Sequence, residues 1–335
     1  MLHLPPHYHR RVAISERLGK GELLVLGRAE VEHLLDLKAL LDELAVAFRE
    51  VSIGRVSAPP RVAVSSGYGM LAVMPGYVPG LGLASKLISV FPGNHAHGLP
   101  SHQALLVLFD EGSGRPLALM DGTYVTAMRT AGSSAVSVRL LARDDARILA
   151  ILGAGVQGQA HLRLLVQVRD FHEVRVASRT REHAEALAST DHRARAMCSF
   201  EDAIRGADVV CCCTDAATPV LRYEWLDPGT HVTSVGANQE GPELDPETVV
   251  RGKLFVESRH AFSPPPAGCV ELQGMDPAMA TELGEVLAGV SPGRQARGEI
   301  TVFKSVGHAC EDAAAAYLIY RRALQEGVGR WVAVL

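Results

Sequence analysis

Arg147-Ile-Leu-Ala-Ile-Leu-Gly-Ala-Gly-Val-Gln-Gly158 is the stretch on which the reading of the fold turns. Its first half is a continuous apolar run, as in a strand buried on both faces of a parallel sheet. Its second half spells Gly-x-Gly-x-x-Gly, and a helical pattern with Leu162, Leu165 and Val166 follows to about residue 167. Glycines are common in turns of every kind, but this turn lies between a buried strand and a helix, the context that dinucleotide binding requires. Gly153 permits the tight turn, Gly155 lets the backbone approach a pyrophosphate, and Gly158 lets helix pack on strand. The helix N-terminus then offers free N–H groups and a partial positive charge to the phosphates. Gly153, Ala154, Gly155, Val156, Gln157 and Gly158 are therefore the expected pyrophosphate contacts of a nicotinamide dinucleotide. A purely structural glycine turn is the alternative.

Outward from this turn, apolar runs at 173–177, 208–213, 231–235 and 253–257 alternate with helical patterns such as 183–188 and 200–205. That alternation predicts an α/β fold with a doubly wound parallel sheet of Rossmann type. Cys213 and Thr214, and likewise Val235 and Gly236, fall at the carboxyl ends of predicted strands, where ligands of such sheets bind. The strand after the glycine turn ends near Ser178. An NAD-selecting fold usually carries Asp or Glu there, for the ribose 2′-hydroxyl. Here Ser178-Arg179-Thr180-Arg181 stands instead. An arginine and two hydroxyls suit a 2′-phosphate, so NADP(H) is preferred and NAD(H) remains possible. Solvated arginines opening a helix are the bland alternative.

The flanking segments read differently. One amphipathic helix is expected over 30–50, with Leu34, Leu35, Leu37, Leu40, Leu41 and Leu44. Strand-like runs split by Gly and Pro, including 69–73 and 104–109, predict an antiparallel or mixed sheet. Helices are expected at 127–141 and 309–325, the latter alanine-rich and returning to the N-terminal half. At 335 residues, two domains are the natural expectation. A net charge of −4 without basic runs gives no reason to expect nucleic acid. The apolar runs are strand-length, so no membrane span is expected. Met1-Leu-His-Leu-Pro-Pro6 lacks a secretory pattern. Three of the six cysteines are consecutive, Cys211–Cys213, which makes a disulfide scaffold improbable and a reduced, cytoplasmic protein the expectation.

Several further motifs occur together: Gly82-Leu-Ala-Ser-Lys-Leu-Ile-Ser-Val-Phe-Pro-Gly-Asn94, Gly98-Leu-Pro-Ser-His-Gln-Ala104, Met120-Asp-Gly122, Met128-Arg-Thr130 and Phe303-Lys-Ser-Val-Gly307. With the glycine turn, they make the chain resemble the ornithine cyclodeaminase and mu-crystallin family from Arg61 to the C-terminal helix. The resemblance implies a dinucleotide domain over 129–307 and a discontinuous α+β domain over 1–128 and 308–335 that binds substrate and dimerises. It implies homodimers, a small imino- or amino-acid substrate, and no metal. Residue by residue, Arg61 and Arg129 match arginines at the substrate carboxylate, Lys86 a lysine beside the reacting carbon, Thr130 a pyrophosphate neighbour, and His102 a pocket histidine. The chemistry agrees, since a carboxylate suits a planar guanidinium and a buried lysine loses its proton readily.

Asn238 departs from the pattern. Cyclodeaminases and alanine dehydrogenases of the family carry an aspartate there, and an amide cannot take a proton from an amine. Reduction of a cyclic imino acid is therefore the leading expectation, such as Δ1-pyrroline-2-carboxylate or Δ1-piperideine-2-carboxylate, with Lys86 donating the proton and Asn238 bonding the ring nitrogen. Glu240 is a candidate replacement for the missing carboxylate. Ornithine cyclodeamination, amino-acid oxidation, and non-catalytic binding of NADPH with a small ligand, as in mu-crystallin-like members, are the alternatives. His95, His97 and His102 lack well-placed acidic or thiol companions for a metal, and His3, His7 and His9 read as a polar end.

Overall fold

The computed structural model describes residues 21–236 and 238–334; the N-terminal segment with His3, His7 and His9 lies outside the described residues. One sheet is built from β1 (Glu22–Leu26), β2 (Val62–Ser65), β3 (Met70–Val78), β4 (Gly82–Val90), β5 (His102–Phe109) and β6 (Pro116–Asp121). The other comprises β7 (Ile148–Leu152), β8 (Glu173–Ala177), β9 (Ala194–Ala196), β10 (Val209–Cys212), β11 (His231–Ser234), β12 (Lys253–Val256), β13 (Thr281–Glu282) and β14 (Thr301–Lys304). A last strand, β15 (Arg330–Ala333), returns to the first sheet, whose order is β15-β1-β6-β5-β4-β3-β2.

In the first sheet β2 to β6 form an antiparallel meander, while β1 runs parallel to β6 and antiparallel to β15. The second sheet is parallel throughout, in the order β13-β12-β14-β11-β10-β7-β8-β9. Chain order reverses between β7 and β10, so the ligand crevice of such a sheet opens at their carboxyl ends. The expected doubly wound sheet and its mixed companion are both present.

The helices are α1 (Arg28–Leu34), α2 (Leu37–Ser52), α3 (Gly122–Leu141), α4 (Val156–Val168), α5 (Arg181–Ala188), α6 (Phe200–Ile204), α7 (Pro246–Arg251), α8 (Leu283–Leu287) and α9 (Ala309–Glu326). Two of them correct the sequence reading. The single helix expected over 30–50 is two helices, because Asp36 caps α2 with its Oδ1 accepting from the Ala39 N–H at 2.8 Å. A carboxylate at that position satisfies an orphan N–H and starts a new helix. Likewise α3 begins at residue 122 rather than 127, since the Asp121 carboxylate accepts from the N–H groups of Thr123 and Tyr124. Residues 128 and 129 lie within this one helix, which is buried along most of its length and packs on α2, α4 and α9.

Among the described residues, α9 belongs with the first sheet, packing on β3, β4 and α2. Its alanines permit close approach: a Cβ added at Gly76 on β3 would lie 2.9 Å from Ala309 Cβ. Within the glycine turn the three positions differ. A Cβ at Gly158 would lie 2.0 Å from the Gly153 carbonyl oxygen, whereas one at Gly155 meets nothing within 4 Å. Gly158→Ala is therefore expected to lower Tm by several degrees through overpacking, while Gly155→Ala leaves it nearly unchanged. Thermal unfolding of the two variants checks this; equal losses would contradict it.

Candidate active site

The crevice begins at Gly153, whose φ of 102° suits glycine and whose Cβ would lie 2.6 Å from the Cys213 carbonyl oxygen. Gly155 caps α4 without a side-chain partner, so the N–H groups of the first turn stay available to an anion. Ala154 is buried, Val156 is exposed, and the side-chain oxygen of Gln157 is buried without a hydrogen-bond partner. Open space over Gly155 and an uncapped helix start fit a dinucleotide pyrophosphate. At the end of β8, Ser178 is half-buried and Arg179 is exposed, with no ion pair among the described residues. Thr180 caps α5 without using its hydroxyl.

Cys213 meets the turn through its backbone. The thiol points inward, and the nearest ligand atoms of Cys213, Cys211 and His161 lie within 4.8 Å of one another. His161 already uses both ring nitrogens: Nδ1 lies 2.7 Å from the Gln157 carbonyl and Nε2 2.9 Å from Ser134 Oγ. This is a satisfied buried histidine rather than a free ligand.

Thr214 and Gly236, with half-buried Val235 between Ser234 and Gly236, adjoin a buried network that the sequence reading missed. Glu243 accepts at Oε1 from the Thr214 N–H and hydroxyl (2.6 and 2.7 Å), and at Oε2 from Ser234 and the Gly236 N–H (2.7 and 2.9 Å). It thereby ties together the carboxyl ends of β10 and β11. Beside it the Lys304 ammonium, at the end of β14, donates to the Gly236 carbonyl at 2.6 Å and to Glu271 at 2.7 Å. The crevice floor is thus cross-linked by ions that are fully buried and fully bonded.

Where β14 ends, the two sheets meet over a cluster of charges. Lys86 on β4 and Asp312 on α9 are both buried, with Nζ–Oδ2 and Nζ–Oδ1 separations of 2.8 and 2.9 Å. Arg129 on α3 donates to Asp312 at 3.2 Å and to Glu311 at 3.0 Å. Glu311 also accepts from Ser133 at 2.6 Å. Burial, then the charge of Arg129, outweigh the pull of Asp312 and lower the Lys86 pKa to about 8. Burial opposes the Asp312 charge, but Lys86 and Arg129 more than offset it, so its pKa is lowered. Gly307 is left-handed (φ 77°), and a Cβ there would come 2.4 Å from the Arg129 guanidinium. Arg61 reaches the same segment, donating to the carbonyls of Val306 and Gly307. Thr130 is buried next to Arg129 on α3.

Lys86, Arg61 and Arg129 are therefore brought together as expected, but Arg129 is largely committed to Glu311 and Asp312. Two other residues stand elsewhere. His102 is exposed at the start of β5, opposite Val90, with Nδ1 3.0 Å from Ser101 Oγ. Asn238 spends its amide on two loops, Nδ2 donating to the Asp215 carbonyl after β10 and Oδ1 accepting from the Glu240 N–H in its own loop. Glu240 is exposed; the carboxylate beside Lys86 is Asp312.

Over residues 22–327 the chain matches the ornithine cyclodeaminase/mu-crystallin family. It is 40% identical over 297 residues to the ketimine reductase mu-crystallin of Mus musculus, covering 86% of this chain and 93% of that protein. The structure of Thermococcus litoralis Δ1-pyrroline-2-carboxylate reductase with NADH and L-proline superposes with a TM-score of 0.87 at 36% identity, covering 92% of this chain and 99% of that one. An archaeal alanine dehydrogenase dimer with bound NAD gives 0.83 at 31% identity, covering 94% and 100%. The chain belongs to the ornithine cyclodeaminase/mu-crystallin family.

Set in this family, the acids around Lys86 are what the sequence reading lacked. Glu311 and Asp312 open an alanine-rich helix, where acidic residues are ordinary; the signal that could have raised them is their place four and five residues after Gly307. Removing the Asp312 charge leaves Lys86 and Arg129 undercompensated in the interior. Asp312→Asn is expected to cost about 3–5 kcal/mol of stability, read by denaturant unfolding. A loss below about 1 kcal/mol would contradict the pairing.

Proposed function

We propose that this family member reduces a cyclic imino acid, such as Δ1-pyrroline-2-carboxylate or Δ1-piperideine-2-carboxylate, to the cyclic amino acid. The observation that carries this reading is the buried Lys86–Asp312 pair beside Arg61 and Arg129, at the carboxyl edge of a dinucleotide sheet. Gly153–Gly158 would hold the pyrophosphate of the nicotinamide cofactor, with Thr214, Val235 and Gly236 lining the crevice beyond. When bound, the nicotinamide supplies hydride to the imine carbon.

The chain's own residues do the rest. Arg61, whose hydrogen bonds among the described residues run from one guanidinium nitrogen to two carbonyls, is the group open to a carboxylate. Arg129, fixed by Glu311 and Asp312, adds positive potential and whatever donors remain. Lys86 gives a proton to the ring nitrogen as that nitrogen gains electron density, and Asp312 holds the ammonium in place. A donor whose pKa lies near neutrality suits this task. The Asn238 amide would reach the ring nitrogen only by leaving the Asp215 carbonyl.

Ser178, Arg179 and Thr180 support NADP(H) over NAD(H), because a guanidinium and two hydroxyls there have no competing partner of opposite charge. The unit in solution is read as a homodimer. Val62, Val64, Leu71, Leu83 and Leu105 are exposed on one face of the first sheet, a contiguous apolar surface that a second copy would cover.

Mixing the protein with NADPH and each cyclic imine should consume the absorbance of the reduced cofactor. Since Lys86 must be protonated to donate, kcat should be level below pH 8 and fall tenfold per unit above it. Lys86→Ala should lose about 10²- to 10⁴-fold in kcat. Inactivity with every ring size, in protein shown to bind cofactor, would sink the reading. Arg179→Ala should raise KM for NADPH about tenfold or more and leave NADH little changed; parallel changes would argue against a 2′-phosphate site. Light scattering should give twice the chain mass for the native protein and the single mass for Leu105→Glu.

A further inference from the structure

Glu257, directly after β12, is buried among the charges of the site, yet among the described residues no cation is bonded to it. Its Oε1 accepts from neutral donors alone: the N–H groups of Val306 (2.7 Å) and Gly307, and the Ser305 hydroxyl (3.2 Å). Its Oε2 is buried without a hydrogen-bond partner. The side chain lines a small recess of about 20 Å³, partly open to solvent, that it shares with Arg61, His260 and His308. Arg61 donates to the carbonyls of Val306 and Gly307, whose N–H groups Glu257 holds. One acid and one cation therefore grip the same two residues, and neither has an ionic hydrogen bond. The other acids are paired, Asp312 with Lys86 and Arg129, and Glu311 with Arg129.

The geometry points to Glu257 as the group that adjusts the charge of the site to an incoming carboxylate, taking up one proton when Arg61 engages it. This rests on the reading of the site as one for imino-acid carboxylates. Arg61, Lys86 and Arg129 supply three positive charges, and Glu257, Glu311 and Asp312 supply three acids. A substrate carboxylate makes a fourth anion in a space that solvates charge poorly. The anion with no cationic partner is the one whose neutralisation costs least, and the recess connects it to water. Burial, and after it the charge of Glu311, already push the Glu257 carboxyl up to about 7.

The charged and titratable groups facing Glu257 come from several elements: Glu311, Cys310 and His308 from the α9 end, Arg129 from α3, Arg61 before β2 and His260 after β12. Lys86, at about 8, is mainly charged at pH 7. His308, lowered to about 4 by burial and then by His260, is neutral there.

The test is calorimetric titration of cofactor-saturated protein with pyrrole-2-carboxylate, a flat ring carboxylate without a reducible C=N bond, in buffers of different ionisation enthalpy. Between pH 7.0 and 7.5 the native protein should take up roughly half to one proton per carboxylate bound, and affinity should weaken towards about tenfold per unit above pH 7. Glu257→Gln, whose amide oxygen can still accept from Val306 and Gly307, should bind without uptake and with flat affinity from pH 6.5 to 7.5. Equal uptake in both proteins, no uptake in the native one, or no binding at all overturns the inference. Imine reduction with a pH-independent KM would sink this inference and spare the proposed activity. Proton-coupled binding without reduction of any imine would do the reverse.

Discussion

The placement of Lys86 constrains everything around it. An ammonium with no exposed surface is tolerated only against a carboxylate, and Asp312 lies 2.8 Å away from a different part of the chain. That pairing obliges β4 and the first turn of α9 to meet, although 226 residues separate the two side chains. The long C-terminal helix is therefore as much a part of the candidate site as the crevice is. Its alanines bring it close to β3 and β4, and its first turn carries both acids that hold Arg129.

The two sheets divide the work accordingly. The parallel sheet offers a rigid edge, where Glu243 and Lys304, the last residue of β14, bond the backbone at the ends of β10 and β11. Rigidity there fixes the floor on which a cofactor would lie. The mixed sheet contributes Lys86 and, just before β2, Arg61. The link between them is residues 305–307, which follow β14 directly and touch Glu257, Arg61 and Arg129 within three residues. Glycine at 307 is needed twice over, for its positive φ and for the guanidinium packed against it.

How much of this was legible in the sequence depends on how local the cause is. Ile148–Leu152 and the glycine turn declare themselves because strand, turn and helix start are neighbours in the chain. The break between α1 and α2 was hidden, since the leucine spacing continues smoothly across Asp36 while a single capping carboxylate decides the boundary. The early start of α3 at Asp121 was hidden for the same reason. Arg61, Lys86 and Arg129 were found by family resemblance, and their convergence is tertiary. Asp312, Glu311, Glu257 and Glu243 were missed because an acid at a helix start or strand end reads as ordinary surface until the fold buries it. Asn238 drew attention as a departure from the family, yet its amide is occupied by the Asp215 carbonyl and the Glu240 N–H.

The account stands on a lysine that burial brings close to neutrality while an aspartate keeps it in place. Direct titration of the Lys86 ammonium by NMR, in protein carrying isotope-labelled lysine and assigned with a Lys86→Ala variant, tests this most plainly. The prediction is a midpoint near pH 8 in the native protein, shifted downward in Asp312→Asn. A midpoint near the ordinary lysine value of about 10.4, unmoved by loss of Asp312, would contradict it.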